Sequence, residues 1–240
     1  MDTYGTWDTT QRILVILAHP DDPEFFCGAT LAKWAQAGHE IIYFLLTCGD
    51  KGRNSHNQDI PGSELCALRH VEQRAAAQVI GVKEVHFLDK EDGYLVPDLE
   101  LRREMVRVIR RFRPDVLLTC DPQLLFSPVG INHPDHRAAG QAVLDAVFPA
   151  AGNELYFPEL LDEGLPPHTP KEVWVSLSAQ PNVTLDVSEF WETKIRALKE
   201  HKSQIGDPAK LEERMRSRHT EDSSPENPRY EEKFRVIRYS

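Results

Sequence analysis

Two short runs in this 240-residue chain concentrate groups that bind metals and move protons. The first is His19-Pro20-Asp21-Asp22-Pro23-Glu24, and the second is His133-Pro134-Asp135-His136. Together they hold three of the ten histidines and four carboxylates. A catalytic zinc ion is commonly held by three protein groups, often two imidazoles and a carboxylate, with a further position left for water. The two runs supply such a set and leave a carboxylate and an imidazole over for proton transfer. Each run alone has a plainer explanation, since His-Pro pairs sit at turns and an Asp before a helix is an ordinary N-cap. Their joint presence favours a metal site. A dinucleotide-binding turn, the competing reading after a first strand, requires G-x-G-x-x-G where this chain has HPDDPEFFCG.

Strands must end at these runs to position them. Residues 12–17 (RILVIL) form a short apolar run suited to a strand buried on both faces, broken by the prolines at 20 and 23. Further strands are expected at 41–47, 85–88 and 116–119, alternating with helices at 26–37, 64–80, 98–112 and 134–147. Gly38 and Gly81 stand where a C-terminal glycine would end a helix. The arginines of 98–112 read as a solvated face rather than a binding patch, because acidic residues flank them. Such alternation, with crossovers too long for hairpins, predicts a parallel α/β sheet with helices on both faces. Ligands bind such sheets at the carboxyl ends of the strands, here the loops 18–25, 48–62, 89–97 and 120–132.

Beyond residue 148 the pattern is less regular. Residues 149–171 form an irregular excursion, 173–178 and 183–187 read as strands, and 190–204 and 208–219 read as helices. The polar stretch 221–230 reads as exposed or poorly ordered, and 234–239 as a terminal strand. There is no internal repeat and no clear linker, so a single domain is expected.

The net charge of −10 disfavours a dedicated nucleic-acid binder, which needs a broad positive field. No apolar run approaches the ~20 residues of a membrane span, and mean hydropathy is −0.46. Residues 1–11 lack a secretory pattern, so a cytoplasmic location is expected and Asn182-Val-Thr is a chance sequon. The cysteines at 27, 48, 66 and 120 show no framework spacing and read as free thiols.

Ala18-His-Pro-Asp-Asp-Pro-Glu, then Gly28-Ala-Thr-Leu, then His-Pro-Asp-His about a hundred residues later resemble the LmbE-like, or PIG-L, family of zinc-dependent N-deacetylases. The resemblance runs from residue 12 to about 148 and returns weakly at 194–204. It implies a Rossmann-like three-layer α/β/α fold with a mostly parallel sheet. One domain would span 1–240, with its core at about 12–205 and a C-terminal extension at 206–240. It implies a hydrolase that removes acetyl from the amine of an N-acetylglucosamine-type small molecule. His19, Asp22 and His136 would bind zinc, or another divalent metal such as iron(II). Asp21 would be the general base, His133 would stabilise the oxyanion or protonate the leaving amine, and Asp135 would orient His133. The family's substrate contacts match Asp50 in Gly49-Asp50-Lys51-Gly52, Arg69 and Asp92, with Arg53 and His56 in the same loop as further contacts.

His201 reads as structural. Relatives of this kind often form trimers or hexamers, so a homo-oligomer is expected. Some carry a Tyr two positions before the second run, where this chain has Ile131, and 153–170 matches nothing in the family pattern. Hydrolysis of a non-sugar amide by the same site, and a non-catalytic sugar- or nucleotide-binding module, are the alternatives.

Overall fold

Every position of RILVIL after Arg12 is apolar, and only a strand covered on both faces can bury them all. In the computed structural model, which describes residues 4–52, 59–127, 130–224 and 226–239, this run is strand β1 (Arg12–Leu17), fully buried from Ile13 onward. It is followed by α1 (Asp22–Gln36), β2 (Glu40–Thr47), α2 (Gly62–Ile80), β3 (Glu84–Lys90), α3 (Leu99–Phe112) and β4 (Val116–Cys120). A two-strand ribbon, β5 (Phe126–Ser127) and β6 (Gly130–Ile131), precedes α4 (Pro134–Asp145). A wide turn at Ala146–Ala151 leads to α5 (Glu159–Asp162), β7 (Glu172–Ser176), β8 (Val183–Asp186), α6 (Trp191–Lys199), α7 (Pro208–Arg216) and β9 (Glu231–Arg238).

The main sheet has the order β3-β2-β1-β4-β7-β9-β8. Neighbours from β3 to β7 are parallel, while β9 runs antiparallel to both β7 and β8, so the sheet is mixed rather than wholly parallel. One apolar layer packs the sheet against α3, α4 and the wide turn, and another packs it against α1 and α2. This is the expected three-layer arrangement. Among the described residues no helix is long and apolar enough to cross a membrane.

Four features depart from the sequence reading. Helix α1 starts at Asp22 rather than 26, because Pro23 in the first turn lacks only an N–H that would have had no helical partner. Arg110 does not belong to a solvated face. It is buried and donates to the carbonyls of Ala150, Ala151, Asn153 and Tyr156, shaping the excursion after α4. Within 221–230, Tyr230 is buried and stacks on Trp191 with ring centroids 4.5 Å apart. Finally, Cys48 and Cys66 form a disulfide, leaving only Cys27 and Cys120 as buried free thiols. Helix α2 returns beside the end of β2, which brings Cα atoms 18 positions apart in sequence to 5.1 Å.

The C-terminal strand also anchors α1. Glu232 of β9 accepts from Thr30 N–H at 2.8 Å and pairs with Lys194 of α6 at 2.7 Å, both side chains being buried. Helix α1 bends at Cys27, which is non-helical, just ahead of this contact.

Candidate metal and catalytic site

The turn after β1 is sharp. Asp21 adopts a left-handed backbone at φ 82°, an uncommon conformation for a non-glycine residue. Two contacts hold the turn: His19 N–H donates to Asp22 Oδ2 at 2.8 Å, and Asp21 N–H donates to Gln73 Oε1 at 2.8 Å. The result sends the carboxylates of Asp21 and Asp22 to different partners. Asp22 faces His136, with Oδ1 3.0 Å from Nε2, and His19, with Oδ2 3.3 Å from Nδ1. His19 Nδ1 and His136 Nε2 are 3.2 Å apart. Two imidazole nitrogens and one carboxylate from the two runs thus converge on one point, although 117 positions separate the histidines.

Partners behind both rings leave the converging nitrogens free to ligate. His136 Nδ1 is 2.9 Å from Asn132 Oδ1, an acceptor that keeps the proton on Nδ1 and the lone pair on Nε2. His19 Nε2 lies 3.1 Å from Asp92 Oδ1 and 3.3 Å from Asp135 Oδ2, so Nδ1 is the nitrogen turned toward Asp22 and His136. Three carboxylates (Asp22, Asp92 and Asp135) therefore surround His19. Among the described residues no Lys or Arg side chain pairs with any of them. A buried group with this many carboxylates favours a cation, and the donors present fit a divalent metal.

Electrostatics separate the two adjacent aspartates. Burial would raise the Asp22 carboxyl, but the charges and hydrogen bonds of His136 and His19 pull it far below the usual carboxylate range. Burial also raises Asp21, and there Arg69 and His201 do not overcome it. Burial acts against protonation of His19, yet Asp22, Asp135 and Asp92 prevail and hold its pKa well above the ordinary value. The two neighbouring carboxyl groups are thus pushed in opposite directions.

His133 is the N-cap of α4, and its Nδ1 accepts from Asp135 N–H at 3.2 Å. In the neutral ring the proton must then sit on Nε2, which becomes a donor. Burial first, then the neighbouring His19, lowers its pKa. Its ring meets that of His19 edge-on at 4.6 Å between centroids.

The other expected site residues make specific contacts. The Asp135 carboxylate does not reach the His133 ring. It accepts from Gly93 N–H at 2.7 Å and Leu95 N–H at 3.2 Å and faces His19, while the hydrogen bond between Asp135 and His133 runs from the Asp135 backbone N–H. Arg69, expected to touch substrate, is buried. It donates to Gly49 O at 2.8 Å, Pro20 O at 2.7 Å and Asp21 Oδ2 at 3.2 Å, and so fixes the Asp21 turn. Asp92 is buried behind His19. Asp50 accepts from Asp92 N–H at 3.3 Å and is only half-buried. Arg53 and His56 lie outside the described residues. Ile131 is exposed on β6 and brings no hydroxyl.

Two contributors were not visible as such in the sequence. Asn132 immediately precedes the second run, and that adjacency was the available signal. Gln73 stands four residues after Arg69, hence on the same face of α2. Besides holding Asp21 N–H, it donates to the buried Glu24 carboxylate at 3.0 Å, which also meets His201 Nε2 at 3.1 Å. His201 is fully buried, consistent with a structural role.

Comparison with known proteins adds an independent line. The family model for GlcNAc-PI de-N-acetylase (PIG-L) matches residues 14–147. A diacetylchitobiose deacetylase of Thermococcus kodakarensis is 36% identical over 199 residues, covering 83% of this chain and 72% of that one. A probable N-acetyl-alpha-D-glucosaminyl L-malate deacetylase 2 of Bacillus anthracis is 27% identical, covering 81% of this chain and 82% of that one. The solved N,N'-diacetylchitobiose deacetylase of Pyrococcus horikoshii superposes with a TM-score of 0.87 at 28% identity, covering 99% of this chain and 87% of that one.

Proposed function

Because the chain belongs to the PIG-L family, we propose that it is a metal-dependent hydrolase that removes acetyl from the amine of an N-acetylated amino sugar. The observation that carries this reading is the convergence of His19 Nδ1, the Asp22 carboxylate and His136 Nε2, with Asp21 adjacent to it in the chain. Those three residues would hold the metal, proposed to be zinc, with iron(II) as the alternative that metal analysis separates. Once bound, the metal would supply a Lewis acid that polarises the acetyl carbonyl and acidifies water.

The protein's own groups do the rest. Asp21, raised by burial and steadied by Arg69, takes a proton from the attacking water as its oxygen bonds to the acetyl carbon. His133 Nε2–H donates to the oxygen of the tetrahedral intermediate. The C–N bond then breaks, the amine nitrogen takes up the proton, and acetate and a free amine leave. Asp135 and Asp92 keep the His19 tautomer, and Asn132 keeps that of His136. With Arg69 and Asp92 occupied in this scaffold, we assign sugar hydroxyls to Asp50 and Arg53.

The same reading takes the chain as one domain, located in the cytoplasm and assembled as a trimer or hexamer, which light scattering tests. The activity test is acetate release from N-acetylglucosamine, diacetylchitobiose and a non-sugar acetamide. Release from the sugars alone is expected. Turnover of the non-sugar amide alone would refute the sugar assignment.

A further inference from the structure

A second group of metal-binding side chains gathers where β2 and β3 end. It comprises Cys48, Cys66, His70 and Asp89, whose donor atoms all lie within 4.8 Å of one another. The end of β2, strand β3 and helix α2 bring it together. Cys66 and His70 stand one turn apart on α2, so both donors share a face, with His70 Nε2 3.9 Å from Cys66 Sγ. Cys48 directly follows β2 and is buried. Asp89 belongs to an irregularity in β3: Leu45 pairs with Phe87 but Thr47 pairs with Lys90, so an extra residue is accommodated there. Asp89 takes a left-handed backbone at φ 54°, and its Oδ1 lies 2.9 Å from His70 Nε2. Bulges of this kind re-aim a side chain. The His70 ring is held by stacking on Phe87, with centroids 3.8 Å apart.

We propose that this chain carries a second divalent-metal site, formed by Cys48, Cys66, His70 and Asp89 when the disulfide is open. Two thiolates, an imidazole and a carboxylate form a donor set suited to tetrahedral zinc. Donor atoms sharing such an ion stand roughly 3.3–3.7 Å apart, as follows from its bond lengths of about 2.0–2.3 Å. The separations of 3.9 and 2.9 Å at His70 bracket that range. Opening requires a dithiol reductant: its two thiols give up two electrons and two protons, become a disulfide, and leave Cys48 and Cys66 as thiols. Metal binding then displaces the two thiol protons. The site is separate from His19, Asp22 and His136, and the proposal is independent of the deacetylase reading.

The site would also bear on the turn that holds Asp21. Cys48 is followed by Gly49, whose carbonyl accepts from Arg69, and Arg69 lies between Cys66 and His70 on α2.

Cobalt(II) tests this, because thiolate ligation gives a ligand-to-metal absorption in the near ultraviolet that nitrogen and oxygen donors do not. The His19–Asp22–His136 site contains no sulfur, so it is silent in this measurement. Full-length protein reduced with a dithiol and then freed of it is expected to develop the band, saturating at one thiolate-bound ion per chain, and oxidised protein none. Cys66→Ser should abolish the band, and the surface change Asp89→Asn and the variant His70→Ala should each weaken cobalt binding about tenfold or more. Circular dichroism confirms that each variant is folded. No band in the reduced protein, or a band unchanged in both His70→Ala and Asp89→Asn, would overturn the proposal.

Discussion

The His19–Asp22–His136 group and the Cys48–Cys66–His70–Asp89 group lie at the ends of adjoining strands, yet they are built on different plans. In the first, each histidine has a polar partner on the ring nitrogen that faces away from the convergence point: Asn132 behind His136, and Asp92 and Asp135 behind His19. In the second, the donors are partnered chiefly by one another, and Asp89 is exposed. A group supported from behind has one arrangement and is ready before anything binds. A group that bonds to itself has a covalent alternative. The contrast teaches that a buried site is defined as much by the residues behind the donors as by the donors themselves.

Removing a donor from the first group should have the largest effect. Asp22→Ala or His136→Ala is expected to abolish stoichiometric metal binding at that site and reduce acetate release to background, read by metal analysis and a product assay. Retained metal and activity in both variants would break the contrast at its root.

Changes behind the donors should be intermediate. Asp135→Asn and Asn132→Ala are expected to weaken metal affinity about 10–100-fold, measured by competition with a chelator. An unchanged affinity would mean that the backing contacts do not set the tautomers.

Gln73→Ala sharpens the account from the side of the base. It leaves Asp21 N–H without its partner and takes one partner from the Glu24 carboxylate, which keeps His201, and this should cost about 1–3 kcal/mol in denaturant unfolding. Activity should fall while metal content holds.

The smallest effect concerns His39, remote from both groups. Its Nδ1 accepts from Gln11 N–H at 3.1 Å, so the ring must be neutral there, and burial lowers its pKa. A lowered folded-state pKa gives stability that is full above the unfolded value of about 6.5 and is lost as pH falls through it. The urea midpoint should therefore drop less between pH 7 and pH 5 in His39→Gln than in the parent. An equal drop would exclude this contribution.

How much of this was legible in the sequence depended on range. Strand β1, helices α2 and α3 and their order were readable because periodicity and end signals such as Gly81 are local. Both runs could be placed at strand ends for the same reason. The insertion of β9 between β7 and β8 was not readable, because nothing local specifies which strands a C-terminal segment joins. Nor were the contacts of Arg69 and Asp92: a charged residue at a strand end or helix start looks alike whether it faces a ligand or backs another side chain. Arg110 belongs with them, since burial of one arginine among several shows only once the carbonyls it holds are in place. The Cys48–Cys66 pair depends on a loop closure that spacing alone does not encode.

In the proposed mechanism, metal binding and proton removal fall to different, adjacent aspartates. Metal content and acetate release measured together on Asp21→Asn test it most directly. The account predicts one ion at the His19–Asp22–His136 site, as in the parent, with turnover reduced about 10²–10⁴-fold. Parental turnover in that variant, or a parent protein that binds no ion at that site, would contradict it.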